Sequence, residues 1–188
     1  MTTYILHGGY YKRDTQDNKK FFKAITDRLS DQSRILFVAY AREKREWQIK
    51  RDEIADQIDG ISPDKKLTIV LASEKTDDFI EQIKTSEAIF LAGGKPEPLH
   101  NYLHKVPDLE KLWKDKLIVG SSAGVWVLSK YYCLWKSDDI CEGLGILPIK
   151  SLVHWTEDQS DKLRKLEAYA EKLDLLKIPE EKFLVVTR

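Results

Sequence analysis

Gly120-Ser121-Ser122-Ala123-Gly124 places a serine at the centre of a G-x-S-x-G spacing, directly after the apolar run Leu117-Ile118-Val119. In this spacing a buried strand turns abruptly into a helix and lifts the central hydroxyl above the sheet edge. The flanking glycines are needed because the turn leaves no room for side chains two residues before and after it. The turn also aims the amide of Ala123, and the positive end of the helix that follows, at whatever oxygen Ser122 attacks, which is half of an oxyanion hole. The chemistry implied is acyl transfer. A serine hydroxyl is a poor nucleophile until a base takes its proton, so an imidazole is required elsewhere.

Four histidines are available. His100 and His104 share one helical face at i, i+4 spacing, but no carboxylate completes a metal site and no metal is expected. His7 ends the first strand and ranks second. His154 follows the serine in the chain, as the base does in α/β hydrolases, and ends the short apolar segment Ser151-Leu152-Val153, so it is the expected base. A carboxylate must hold the ring in the right tautomer. Asp138, Asp139, Glu142 and Glu157 are the candidates, and Asp138 is preferred because its loop can fold back over the elbow.

These groups need a scaffold that gathers them at one edge. Apolar runs at Thr3–His7, Arg34–Ala41, Leu67–Ala72 and Ala88–Ala92, with the run before Ser122, read as strands. Between them, Phe21, Phe22, Ile25 and Leu29, then a polar stretch through Trp47, Ile49, Ile54 and Ile58, then Phe79, Ile80 and Ile83 read as helices. Helical turns follow at Leu99–Leu103 and Leu109–Trp113. Strand alternating with helix predicts an α/β fold, with a mainly parallel sheet flanked by helices on both faces and working groups at the carboxyl ends of the strands. Three glycine turns fall there: Gly8-Gly9, Gly93-Gly94 and the elbow. None matches a dinucleotide or nucleoside triphosphate fingerprint. Beyond the elbow the pattern loosens. Tyr131–Trp135 is aromatic, Lys136–Asp139 polar, and Gly143–Pro148 a turn into an edge strand, since proline is excluded from central strands. A charged helix from about Gln159 to Leu176 and a strand Phe183–Thr187 complete the chain.

The length of 188 residues suits one domain over 1–188. Thirty-one basic and 31 acidic residues balance, which gives no electrostatic case for nucleic acid or an anionic membrane as a partner. Cys133 and Cys141 lack zinc-site or disulfide-scaffold spacing and read as reduced. With no leader-like N-terminus and no apolar run of membrane length, a cytoplasmic protein is expected.

Taken in order, Ile5-Leu6-His7-Gly8-Gly9, Phe37-Val38-Ala39-Tyr40-Ala41, Ile89-Phe90-Leu91-Ala92-Gly93-Gly94, Gly120-Ser121-Ser122-Ala123-Gly124 and Gly143-Leu144-Gly145-Ile146-Leu147-Pro148 followed by His154 resemble the S51 serine peptidases. That family contains dipeptidase E and cyanophycinase. The resemblance spans nearly the whole chain and implies a class I glutamine amidotransferase-like (flavodoxin-like) three-layer sandwich. It also implies Ser122 as nucleophile, His154 as base and a second oxyanion amide from Gly93 or Gly94, alongside Ala123. Three departures stand out: Lys95-Pro96 where the family has Asn-Thr, Val153-His154-Trp155 where it often has Pro-His-Phe, and no clear anchor for the acid near Ser137–Asp139.

The expectation is a serine hydrolase that cleaves a small peptide or amide through an acyl-enzyme, as a monomer or homodimer and without metal or organic cofactor. An amidase or esterase acting on a non-peptide substrate, and a degenerate relative that only binds, are the alternatives.

Overall fold

The computed structural model describes residues 1–188. Its first two thirds alternate strand and helix: β1 (Thr3–His7), α1 (Gln16–Thr26), β2 (Arg34–Val38), α2 (Trp47–Ile61), β3 (Thr68–Leu71), α3 (Thr76–Lys84), β4 (Ala88–Leu91), α4 (Pro96–Leu103), α5 (Leu109–Leu112), β5 (Leu117–Ser121) and α6 (Ala123–Leu128). The apolar runs became strands because helices cover them: β4 and β5 are buried at every position. Where the cover thins the same composition makes an edge, so β3, for all its apolar content, is only half-buried. Thr15 caps α1 by accepting the Asn18 amide, and the helix turns Phe21, Phe22 and Ile25 into the core.

The main sheet has the strand order β10-β1-β5-β4-β2-β3, where β10 is Phe183–Thr187. All its pairs are parallel except β1 with β10. From β1 the chain moves outward to β2 and β3 and then returns to β4 and β5. Right-handed crossovers therefore place α1 and α2 on one face and α3 to α6 on the other. His7 pairs with Ser121 and Leu91 with Gly120, so the carboxyl ends of β1, β4 and β5 finish level.

The last third builds a second sheet beside the first, which the sequence pattern did not disclose. It contains β6 (Ser129–Cys133), β7 (Ile140–Glu142), β8 (Leu147–Val153) and β9 (Asp174–Ile178), in the order β7-β6-β8-β9. Two expectations change here. The strand with Pro148 lies inside this sheet, between β6 and β9. Proline is tolerated because the β6–β8 register shifts at that point and pairing with β9 starts only at Ile149, so no ladder hydrogen bond is asked of it. The charged helix, α7, covers only Ser160–Ala168 and gives way to β9. Its end is set by Lys150 of β8, a fully buried lysine whose Nζ donates to the carbonyls of Glu167, at 2.7 Å, and Tyr169. The two sheets share one continuous core that includes Ile5, Phe90 and Val119 from the first and Tyr132, Leu147 and Val153 from the second. No helix is long and apolar enough to cross a membrane.

Candidate active site

Ser122 stands between β5 and α6 with φ 50° and ψ −106°, a left-handed conformation that a non-glycine residue holds only under tertiary constraint. That constraint is visible. The Ser122 amide donates to the His7 carbonyl at 3.0 Å, and its own carbonyl accepts from Val125 and Trp126 as α6 begins. Gly124 is needed for approach: a Cβ there would lie 2.5 Å from the Leu91 carbonyl oxygen. Gly93 lies close to the serine, since a Cβ on it would sit 3.2 Å from the Ser122 Cβ, and its N–H has no hydrogen-bond partner within the protein.

His154 follows the last residue of β8 and also has positive φ, at 56°. Its amide donates to the Gly8 carbonyl at 3.2 Å, so the Gly8-Gly9 turn holds the backbone from which the ring projects. The ring points back to the elbow, with Nε2 2.8 Å from Ser122 Oγ. On its far side Nδ1 lies 3.3 Å from Glu180 Oε1, at the long end of hydrogen-bond reach. Serine, imidazole and carboxylate thus form a line. With Nδ1–H donating to Glu180, Nε2 is free to accept the serine proton. Ser122 is 9% exposed and His154 7%. Burial lowers the imidazole pKa below its ordinary value, and the adjacent Glu180 carboxylate opposes that shift.

Glu180 belongs to the turn between β9 and β10 and is itself braced. Its Oε2 receives Arg13 Nη1 at 3.1 Å; the same nitrogen reaches Glu181 at 2.8 Å, and the guanidinium lies 4.3 Å over the Tyr10 ring. Backbone bonds from Gly8 N–H to the Lys182 carbonyl and from Glu181 N–H to the Gly9 carbonyl lock this turn to the one beside His154.

Asp138, the carboxylate preferred from the sequence, is not the group behind the imidazole. Its side chain is 69% exposed and faces Lys162 at 3.4 Å, because α7 holds this end of the loop, with Lys165 Nζ donating to the Asp138 carbonyl. Asp139 accepts from the Ser137 hydroxyl, Glu142 is exposed on β7, and Glu157 opens the turn before α7. Sequence reasoning passed over Glu180 because a helix running to Leu176 would have left no strand before it. The strand-turn-strand reading of Asp174–Thr187, with Pro179 at the turn, was the available signal. His7 is occupied elsewhere: Nε2 contacts Asn18 Oδ1 at 3.0 Å and Nδ1 accepts the Gly9 amide at 3.1 Å. Burial lowers its pKa to about 4. His100 and His104 stack on each other along α4, and no group of metal-ligating side chains gathers anywhere in the protein.

The serine opens into a cleft of about 880 Å³ walled by Gly9, Tyr10, Gly93, Gly94, Trp126 and Trp135. Its lining is basic. Lys12, Arg42, Lys50, Lys95 and Lys136 face Glu43 and Glu46. Lys12 and Lys50 are engaged by Glu53. The Lys95 amide donates to the Ala41 carbonyl at 2.8 Å, which brings the backbone that carries Arg42 beside that of Lys95, and the Arg42 Nε–H is buried without a partner.

Two solved structures share this architecture. A peptidase from an acI-B1 Actinobacterium superposes with a TM-score of 0.73 at 20% identity, covering 99% of this chain and 83% of its own. A putative peptidase E protein from Listeria monocytogenes EGD-e gives 0.65 at 13% identity, covering 99% and 98%. At such identities the likeness speaks for the fold. No curated protein matches the chain. The sequence model of peptidase family S51, in contrast, matches residues 4–188, from the start of β1 through the elbow, the imidazole and Glu180 to the last residue. The chain therefore belongs to peptidase family S51 and is a peptidase.

Proposed function

We propose that the protein is a serine-type peptidase that cleaves a small peptide or amide through an acyl-enzyme on Ser122. The reading is carried by one observation, the 2.8 Å contact between Ser122 Oγ and His154 Nε2 with Glu180 aligned behind the ring. In this mechanism His154 takes the serine proton as Oγ attacks the carbonyl, and Glu180 stabilises the resulting imidazolium. The amides of Gly93 and Ala123 receive the oxyanion. The imidazolium then protonates the leaving amine, and water repeats the sequence to release the acid. None of these steps calls for a metal or an organic cofactor.

The cleft volume suits a substrate of a few residues. Its excess of basic side chains, with Arg42, Lys95 and Lys136 outside the Glu53 ion pairs, favours a substrate that carries a carboxylate near the scissile bond. An ordered triad is also what a purely binding relative would have no need to maintain.

Labelling with a fluorophosphonate probe tests the assignment. Wild-type protein is expected to label at Ser122 and the Ser122→Ala variant not at all; a wild-type protein that stays unlabelled would remove the nucleophile. A panel of dipeptides, dipeptide amides and simple esters then fixes the bond that is cleaved.

A further inference from the structure

Trp135 is the aromatic ring nearest to His154. Their centroids are 5.0 Å apart and their planes 28° apart, against 5.6 Å for the edge-on Tyr10 and 6.3 Å for Trp126. It comes from residues 134–139, a connection between β6 and β7 outside both strand ladders. That connection is nevertheless pinned. Lys162 Nζ donates to the carbonyls of Trp135, at 2.9 Å, and Ser137, at 3.0 Å, while Lys165 Nζ donates to the carbonyl of Asp138 at 2.9 Å. Both lysines project from α7, so one helix holds three carbonyls of the loop, those of Trp135, Ser137 and Asp138, and sets the height of the indole over the imidazole.

An aromatic face attracts a cationic ring more strongly than a neutral one, and the attraction grows where water is excluded. The other charges around His154 are Glu180 at Nδ1, Arg13 bound to Glu180 and Glu181, neutral His7 behind the Gly9 turn, and Lys136, whose Nζ lies 5.7 Å from the Trp135 ring. Only Glu180 and the indole face favour the protonated ring directly. We propose that Trp135 is a positioning residue that fixes the plane of His154 and stabilises its imidazolium form, with Lys162 and Lys165 as the clamp that holds it in place. The consequence for turnover rests on His154 acting as the base; the consequence for its titration does not.

The test is the titration of His154 by ¹H–¹³C NMR, run beside the pH profile of hydrolysis, in the wild type, Trp135→Phe, Trp135→Leu and Lys162→Met. Leucine keeps the ring covered without a π face, and phenylalanine restores one. Trp135→Leu is expected to lower the imidazole pKa by roughly half a unit to one unit. The acid limb of kcat/KM should move the same way, and kcat should fall several-fold with KM little changed. Trp135→Phe should stay close to wild type, and Lys162→Met should fall between. Wild-type titration in Trp135→Leu, or a Trp135→Phe variant no better than Trp135→Leu, overturns the role of the indole. An unshifted Lys162→Met overturns the clamp. If no substrate is turned over, the proposed peptidase function fails while the titration still decides the role of Trp135.

Discussion

Glu180 Oε1 meets His154 Nδ1 on the side of the ring opposite Ser122, although 26 residues, including all of α7 and β9, separate the two. A carboxylate in that position holds the Nδ1–H tautomer and stabilises the charge that develops during acylation. Replacing Glu180 with Gln removes the charge and nearly preserves the shape. The expected result is a fall in kcat of about 10²- to 10⁴-fold, with the acid limb of the pH–rate profile displaced to lower pH because the raising influence on the imidazole is lost. Asp138→Asn, which touches only an exposed ion pair, should stay within about twofold of wild type. Equal losses in the two variants would return the role to Asp138.

The Gly9 turn supplies a second, steric test. Gly9 has φ +113°, and a Cβ there would lie 2.2 Å from His154 Cε1. Gly9→Ala should therefore push the imidazole off the serine and lower kcat about tenfold or more, while the strained backbone costs about 1–3 kcal/mol of stability. Steady-state kinetics and urea unfolding read the two effects separately. An alanine variant with wild-type kcat would mean that the ring does not depend on the turn.

The cleft-lining cations Arg42 and Lys95 offer a specificity test. Arg42→Ala and Lys95→Glu should each raise KM about tenfold for a carboxylate-bearing substrate and leave its amide analogue nearly unaffected. The difference should shrink as salt is added, because part of the attraction is screened. Comparing a dipeptide with its C-terminal amide, and an acidic with a neutral side chain, shows which carboxylate is held. No selectivity in any pair would dismiss the basic wall as a binding feature.

His7 is expected to make stability fall at low pH. Its folded pKa of about 4 lies below the ordinary 6.5, so the folded state prefers the neutral ring. The stabilisation is complete above pH 6.5 and is lost as pH falls toward 4, amounting to an order of 3 kcal/mol. His154, also lowered by burial, acts in the same direction. Unfolding free energies at pH 7 and pH 5 should differ markedly in the wild type and much less in His7→Gln. An unchanged pH dependence in the variant would mean that His7 is not the responsible group.

The first five strands and the elbow were legible because each is a continuous apolar run bounded by glycine or polar turns, buried on both faces in all but the edge strand β3. The second sheet was not. Leu163, Leu166, Leu173 and Leu176 maintain a spacing that reads as one helix, and the chain leaves it at Ala170, a positive-φ alanine rather than a glycine or proline. What ends α7 is the buried Lys150, which arrives from another strand and satisfies its last carbonyls. Pro148 misled for a related reason: a register shift in the partner strand excuses the missing donor. Glu180 depended on both points, since its place beside His154 exists only once β9 and β10 have joined different sheets. Ser122 and His154 sit on local devices, a glycine-flanked turn and a strand end, and those can be read without tertiary knowledge.

The hydroxyl and the imidazole are carried by separate sheets, and the carboxylate sits on the strap that crosses between them. A chain that has emerged only as far as the elbow, or whose final third is still loose, holds a serine with no means of ionising it. On the proposed mechanism both sheets and the strap between them are therefore required at once, so a copy in which β10 has not paired with β1 lacks the complete constellation.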